Sequence, residues 1–555
     1  MPAADSDFVA VAGTPVDLPG AVTAALESVR RLRVVAEPTR DARRTWFDTF
    51  DWRLHKAGLL LEHKSATSRN APPVASVALH SSAGVITAAD TTGDVRRAFP
   101  FDAVVPAGRL RDRLQPVVEM RALVPVATVQ TRTKTLRVLN DDDKTVARVA
   151  LEDSAAIHGR ARHRLAARVT VLACRGYDDE AAALTAVLAK VAGLAASDRS
   201  TLAHALDALG RKPGDYTGKL DVHLADDMST ELAVRVVMGQ LADAAQVNLA
   251  GVVADTDTEF LHDLRVAVRR ARSVLKLVGA ALPTAQADAA RSELKWLGDL
   301  TTPTRDLDVY LLGLDALAAE AGTGSDVDQL EPFRTFLAAR RSREQKALVR
   351  GLRSARGKRA FSLWTAIGAP TSSDPAAQSV TDDATELGRA PVGAVAQRCV
   401  DRTFRKVIRA GSAITAASPA SALHDLRKRC KELRYALEIF ASLQDANAHR
   451  ALVADLKTLQ DCLGEFQDTE VQQHAIRRFA EEMLAGGPAA EATAGTAAPP
   501  VTAVMPVMAV MAMGRIADRL EQRQVAARAR FASLFAEFAG PKPRAHLAAL
   551  YGRRP

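Results

Sequence analysis

The word Leu-His-Asp-Leu-Arg occurs twice in the chain, in LHDLRVAVRRAR at 261–272 and in LHDLRKRCKELR at 423–434, with the histidines 162 residues apart (424 − 262). In the first stretch His262 is followed by Arg265, Arg269 and Arg272, a spacing of i, i+3, i+7, i+10. The second stretch repeats it with His424, Arg427, Lys431 and Arg434. At 3.6 residues per turn, each set falls within roughly an 80° arc of one helix face. Such a row can hold an extended anion, because guanidinium groups grip phosphate oxygens bidentately and ammonium groups act as point charges. Two further rows have the same character. Arg343, Lys346, Arg350 and Arg353 repeat the spacing, and Arg398, Arg402, Arg405 and Arg409 gather within about 60° on the helical wheel. The stretch 340–359 carries nine Lys and Arg against the single acid Glu344. Like charges three or four apart destabilise a helix by a few tenths of a kcal/mol per pair. No matching carboxylate at i+4 is expected within these helices, so the relief is expected from an outside anion.

A single basic helix is ordinarily a solvated face, and a single helical histidine is ordinarily structural. Four rows, two of them related by a repeat that keeps His-x-x-Arg-x-x-x-basic-x-x-Arg, favour a ligand. The repeat extends further at the same offset: ELKWLGDLTTPTRDLDV at 293–309 aligns with DLKTLQDCLGEFQDTEV at 455–471, matching Leu294 to Leu456, Lys295 to Lys457, Leu297 to Leu459, Asp299 to Asp461, Asp306 to Asp468 and Val309 to Val471. His262, His424, Asp306 and Asp468 have the residue types of a metal site, but a cation among so many arginines is electrostatically poor. The two aspartates are expected to orient Arg or His side chains, or to cap helices. Asp257 or Thr258 in the first copy, and Ser418 ahead of Pro419 in the second, are the expected helix starts. Each histidine thus sits near a helix N-terminus, where the macrodipole also favours an anion.

The elements that would carry these rows begin near 225, where helical periodicity takes over. Before it, VASVALHSSAGVITAADTTG, VATVQTRTKTLRVLNDDDKTVARVALEDS and LAARVTVLACRGYDD are Val/Thr-rich, alternating and broken by turn residues, which predicts strands. Helices are predicted near 20–32 and 179–193. The expected organisation is an α+β domain over 1–205, a linker over 206–222, an all-α domain over 223–540 and a tail over 541–555. The all-α part is read as two copies, about 223–365 and 392–540, with low-complexity and flexible segments at 368–391 and 485–500.

Composition bounds the rest. The chain has 555 residues and a net charge of +9, a modest excess, so an anion site must come from sorting charge onto faces. Aromatics are only 5%, which leans toward helices packed through small residues. Cys174, Cys399, Cys430 and Cys462 lie far apart without a CxxC pair, a poor disulfide or zinc framework, and a reducing cytoplasm is the expected setting. The N-terminus lacks the basic and apolar regions of a signal peptide. The apolar run VTAVMPVMAVMAM at 501–513 is too short for a bilayer span and carries a proline, so no membrane role is expected.

The repeated HxxRxxx[RK]xxR words, RDLDV at 305–309 with its partner QDTEV at 467–471, and RYALEIF at 434–440 resemble the CHAD family, named for its conserved-histidine α-helical domain. The resemblance covers about 223–540. It implies two pseudo-symmetric helical bundles around a basic cavity or pore, and binding of inorganic polyphosphate, often at polyphosphate granules. CHAD domains often follow a CYTH domain, a β-rich tunnel or partial barrel that hydrolyses triphosphates with metal ions. TWFDTFDWRLHKAGLLLEHK at 45–64 resembles a CYTH stretch. CYTH chemistry, however, needs an N-terminal Glu-x-Glu-x-Lys, and the corresponding place, DFVAVAGTPV at 7–16, has no glutamate and no lysine. The later acidic strand would fall near 167–180, where the strand portion has no carboxylate, and the acids Asp178, Asp179 and Glu180 read as a turn. Without an oxygen cage a divalent ion is not held, so no catalytic residue, no metal and no cofactor are expected. Four functions compete: polyphosphate binding, nucleic-acid binding, a triphosphatase and a structural scaffold. The basic rows hold few aromatics, namely Phe404, Tyr435 and nearby Trp364, which favours a polyanion without bases.

Overall fold

The computed structural model describes residues 6–11, 17–67, 75–81, 84–91, 105, 108–320, 322, 327–369, 385–485 and 504–552. The chain divides into two compact units, Met1–Thr217 and Gly218–Pro555.

The first unit is built on an antiparallel sheet. Its elements run β1 (Ser6–Ala10), α1 (Leu18–Glu27), β2 (Arg33–Ala36), β3 (Arg40–Thr49), α2 (Arg53–Lys56), β4 (Leu59–Thr67), β5 (Ala75–Ser81), β6 (Gly84–Thr91), α3 (Arg109–Val118), β7 (Leu123–Leu139), β8 (Thr145–His158), β9 (Ala161–Arg164), β10 (Arg168–Ala173), α4 (Asp178–Leu188), β11 (Leu194–Ala196) and α5 (Thr201–Ala208). The sheet order is β11-β1-β10-β8-β7-β3-β4-β5-β6, with β2 also paired to β7 and β9 to β8. The three predicted strand stretches become β5 and β6, the long β7–β8 pair and β10. The acids 178–180 open α4 rather than forming a turn. The two predicted helices are α1 and α4, which lay Val22, Leu26, Leu184 and Leu188 on Val146, Val149 and Val169 of the sheet. Helices α2, α3 and α5 were not expected. In α3 the apolar Leu110, Leu114 and Val118, spaced by four, are all buried. Asp48, within the FDT word, ties the β3–α2 corner by accepting from the backbone N–H of Thr49, Leu54 and His55 at 2.7, 2.9 and 2.9 Å. Asp215 and Tyr216, in the stretch read as linker, pack into this unit: Trp52 Nε1 donates to Asp215 at 2.7 Å and the Tyr216 ring lies 4.5 Å from that of Phe50.

The second unit is helical: α6 (Thr230–Ala254), α7 (Thr258–Val278), α8 (Thr284–Glu320), α9 (Val327–Arg353), α10 (Ala355–Gly368), α11 (Glu386–Arg389), α12 (Val392–Ser412), α13 (Ala420–Ile439), α14 (Ala446–Leu484), α15 (Val504–Ala539) and α16 (Pro541–Ala549). The sequence repeat is a repeat of elements. Helix starts Thr258 and Ala420, 3₁₀ starts Gly279 and Ala441, and helix starts Thr284 and Ala446 all differ by 162 (420 − 258; 441 − 279; 446 − 284). Of the segments read as low-complexity, 370–384 and 486–500 lie outside the described residues, and 386–389 forms α11.

Helices α7 and α13 pack on each other, and the contact is reciprocal. Arg270 meets Glu438 at 3.4 Å while Lys276 pairs with Glu432, and Glu432 and Glu438 are the repeat counterparts of Arg270 and Lys276. A contact in which i meets j and j meets i is the signature of a two-fold. One apolar cluster also draws on both copies, joining Leu307, Tyr310 and Leu314 of α8 and Phe333 and Phe336 of α9 to Ile476 and Phe479 of α14 and Ile516 and Leu520 of α15. Helices α6 and α10 touch backbone to backbone: a Cβ at Gly368 would lie 2.2 Å from Gly239 Cα, so both positions need glycine. Helix α6 is, by length and composition, apolar enough to cross a membrane, which the reading of the sequence passed over. It packs here against α7 and α10, holds the buried pair Glu231–Arg235 at 2.7 Å, and accepts Trp364 Nε1 on Met238 O at 3.1 Å.

Candidate functional site

The site begins with two helices whose apolar stripes fix their basic faces. In α7 the buried Leu261, Leu264, Val268, Ala271 and Leu275 turn His262, Arg265, Arg269 and Arg272 away from the core. In α13 Leu423, Leu426, Cys430, Leu433 and Leu437 do the same for His424, Arg427, Lys431 and Arg434. Asp257 caps α7, accepting from Glu259 and Phe260 N–H at 2.9 and 3.2 Å. The expected Ser418 cap is not formed. Pro419 occupies the cap position without a side-chain bond, and Ser418 Oγ instead accepts from Thr415 N–H at 2.9 Å.

The two copies hold their rows differently. In the first, Arg265 Nη1 donates to three uncharged oxygens, Thr301 Oγ1 and Thr302 Oγ1 at 2.9 Å and Gly298 O at 3.3 Å. The Arg272 guanidinium lies across the same glycine, where a Cβ would stand 2.8 Å from its Nη1. Arg305, which the sequence reading did not include, joins the row's N-terminal end by donating to Thr258 O at 3.2 Å and reaching Glu259 at 3.4 Å. Its RDLDV word was the available signal. In the second copy, His424 Nε2 lies 2.6 Å from Glu470 Oε2, Arg427 Nη2 donates to both oxygens of Asp468 at 3.0 and 3.2 Å, and Arg434 Nε donates to Glu438 at 2.6 Å. The expectation that no i+4 carboxylate matches these cations is therefore corrected: Glu438 stands at i+4 from Arg434, and Asp468 and Glu470 arrive from the neighbouring helix α14. Asp468 does orient an arginine, as the residue types suggested.

The rows meet where α7 crosses α13. The charge of Arg269 bears on both Lys431 and Tyr435 of the other copy. Burial, with Arg427 and Arg269 adding to it, pushes the Lys431 ammonium down to about 8. Burial and the adjacent Arg305 hold the His262 imidazole below its ordinary value, so it is neutral at pH 7 without a ligand. Beside this crossing an open pocket of about 510 Å³ is lined from both copies by Asp306, Tyr310, Arg340, His424, Glu470 and Arg478, among others.

The other two rows stand apart from the side chains of this crossing, and the α12 row touches α7 only through a backbone carbonyl among the described residues. Arg343, Lys346, Arg350 and Arg353 are all exposed on α9, with no ion pair or hydrogen bond to another described residue. Their neighbours in the basic stretch are paired: Arg340 with Glu482, Arg341 with Asp255 and Asp308, and Arg356 with Glu293. On α12, Arg398, Arg402, Arg405 and Arg409 are exposed. Arg402 reaches back to Leu277 O of α7 at 3.5 Å, and Arg405 bonds Asp401 O at 3.2 Å. The matched Lys295–Asp299 and Lys457–Asp461 words make the same i, i+4 surface pair in both copies, at 2.8 and 2.7 Å, so that part of the repeat is helix surface rather than site.

Residues 237–477, rather less than half of the chain, match the family model described as the CHAD domain. The chain carries a CHAD domain. The two rows, their crossing and most of the shared pocket lie within it. Among solved structures, the crystal structure of the CHAD domain from the plant Ricinus communis is 21% identical and covers 60% of this chain and 96% of its own, with a TM-score of 0.40. PptA from Streptomyces chartreusis is 16% identical and covers 55% of this chain and 99% of its own, with a TM-score of 0.39. Among curated proteins none matches the chain.

In the first unit, the place expected to lack metal ligands holds one carboxylate, Asp7, and it is occupied: Arg168 Nη1 donates to it at 2.6 Å and Thr170 Oγ1 at 2.5 Å. Residues 12–16 of that stretch lie outside the described residues. Among the described residues, no group of three or more His, Cys, Asp and Glu could hold a metal ion.

Proposed function

We propose that the CHAD domain binds inorganic polyphosphate, which lies along the crossing of α7 and α13 and continues onto the exposed rows of α9 and α12. The observation that carries this reading is the convergence of the two His-headed rows, with Arg269 bearing on Lys431 across the crossing. Adjacent like charges are costly unless an anion fills the space between them. A second observation favours a polymer without bases over nucleic acid: of the three aromatics by the rows, Trp364 and Phe404 are buried at 1% and 3% exposure, which leaves the half-buried Tyr435 alone as a stacking surface. Binding is the role proposed, with no catalysis, no cofactor and no membrane, in the cytoplasm and at polyphosphate granules. The first unit is read as a degenerate CYTH-like domain, supported by its antiparallel sheet and by an Asp7 already neutralised by Arg168.

The test is a pull-down of the full chain on polyphosphate of defined length, with RNA and single-stranded DNA as competitors, beside an assay of Mg²⁺- or Mn²⁺-dependent phosphate release from tripolyphosphate. Retention resistant to equal charge of RNA or DNA, with no phosphate release, is expected. Displacement by nucleic acid at equal charge would replace the reading with the second one, and metal-dependent release would restore a triphosphatase.

Lys431 supplies a pH signature. Its free-state value near 8 must rise when a polyanion neutralises its surroundings, so binding takes up a proton above that pH. Affinity is therefore expected to fall as pH climbs from about 8 toward 10, and Lys431→Arg should flatten the profile there. For His262 the free value is depressed by burial and Arg305, so a contact to phosphate as imidazolium also takes up a proton, and its contribution is lost as pH rises through the value of the bound imidazole. Affinity measured from pH 5 to 10 checks both, and a flat profile contradicts both assignments.

A further inference from the structure

We infer that the two copies form unequal half-sites: the first is open to phosphate, whereas in the second Asp468 and Glu470 occupy the anion's places and must be displaced. This deepens the polyphosphate reading and rests on it.

The asymmetry follows from a few repeat positions. Thr301 and Thr302, which hold Arg265 through neutral hydroxyls, have Leu463 and Gly464 as counterparts. Without those hydroxyls Arg427 has no uncharged anchor. Glycine at 464 leaves open space beside its guanidinium, since a Cβ there would still be 3.8 Å from Nη2, and the side chain turns to Asp468. The counterpart of Asp468, Asp306, lies close enough for its charge to bear on Arg265 and Arg305, but it makes no ion pair or hydrogen bond with another described residue. The next acidic pair diverges too. Glu470 stands 2.6 Å from His424, but its counterpart Asp308 is taken by Arg341 at 2.8 Å, and His262 has no carboxylate at bonding distance among the described residues. A guanidinium held by hydroxyls keeps its full charge for an incoming anion. One held by a carboxylate has already spent it. A short phosphate chain therefore engages the first copy alone, and a long chain must also exchange phosphate oxygens for the two carboxylates of the second. The competition selects against short anions in that half.

The test uses the full chain and the isosteric double variant Asp468→Asn/Glu470→Gln, with tripolyphosphate and long-chain polyphosphate as probes at several salt concentrations. A control double variant, Asp288→Asn/Asp461→Asn, makes the same change in net charge by opening two exposed helix-surface pairs on α8 and α14. Affinity of the long polymer is expected to rise about three- to tenfold at low salt in the first variant, on the scale of two ion pairs released, one half-buried and one with only its carboxylate exposed. Its salt dependence should steepen by about one to two in logarithmic slope. Tripolyphosphate and the control should be unchanged within twofold. Weaker binding would overturn the inference, because the carboxylates would then be positioning Arg427 and His424 rather than competing. Unchanged affinity would overturn it, and so would an equal gain in the control. The single variant Glu470→Gln should give part of the gain, and melting curves of all variants verify folding. A wild-type chain that binds no polyphosphate at low salt defeats the parent reading as well, which separates the two failures.

Discussion

Alanine at both Arg265 and Arg269 is expected to lower the affinity of the chain for long-chain polyphosphate by about a hundredfold at low salt. A hydrogen bond to a charged group contributes about 1.5–3 kcal/mol, and two such contacts at the lower limit of that range account for a change of that size. The logarithmic salt dependence should fall by about 1.4–1.8, because two fewer phosphates release their counterions. Arg427→Ala/Lys431→Ala weakens binding less, since Arg427 is already bonded to Asp468. The four-fold variant should bind no better than background. Folding is expected to survive in each case. Thr301 and Thr302, left without Arg265, still donate to Leu297 O and Gly298 O at 2.9 and 2.8 Å. Losing Lys431 removes a half-buried ammonium crowded by Arg427 and Arg269, which relieves repulsion. Affinities at several salt concentrations and melting curves without ligand check this. Unchanged affinity in both double variants, or a large loss of thermal stability, would show that these arginines are structural.

Phe479→Ala should destabilise the helical unit by about 3–5 kcal/mol, the usual range for emptying a buried aromatic site. Phe479 is 2% exposed and sits where the two copies share one apolar cluster. Its ring meets Tyr310 at 5.6 Å, Phe336 at 6.0 Å and Phe333 at 6.1 Å, all from the first copy. The Arg340 and Arg478 guanidinium groups lie over it at 5.4 and 5.3 Å. Truncation thus removes apolar area and two cation–π contacts, and leaves a cavity between helices that cannot easily close. Denaturant unfolding followed by far-UV circular dichroism measures the loss. A change under 1 kcal/mol would mean that the copies are held together elsewhere, chiefly at the α7–α13 crossing. Because α8 and α14 also line the shared pocket, polyphosphate affinity should fall alongside stability, though by less than in the arginine variants.

Much of the helical unit was legible because a helix writes its face at a period of 3.6 and a repeat writes it twice. The rows at His262 and His424 needed only spacing, and their offset also predicted that α8 would be matched by α14. What stayed hidden was pairing between helices. Nothing in the spacing of Asp468 and Glu470 says that they reach Arg427 and His424, nor that Asp308 turns to Arg341, because those contacts depend on how α14 and α9 are placed. Arg305 was missed for the same reason: it lies on α8 yet completes the row of α7. In the first unit, alternation found the long strands, but α2 and α5 are short, and α3, as long as α1, carries a proline at 116 that reads as a helix breaker. The carboxylate of Asp48 has a role only visible once the β3–α2 corner is folded.

The reciprocal ion pairs between α7 and α13 make the helical unit, in effect, a homodimer joined by its own backbone. In a true homodimer every substitution is made twice, and a residue that fits one side of the axis must also fit the other. Fusing the partners removes that constraint. The covalent link supplies the effective concentration that keeps the halves together, so neither must remain self-complementary everywhere. Glu432 and Glu438 keep the reciprocal contact with Arg270 and Lys276, alongside the apolar cluster that both copies share. Elsewhere the halves are free to specialise. Threonines at 301 and 302 in one half face leucine and glycine at 463 and 464 in the other, a difference that a symmetric dimer of identical chains could not encode.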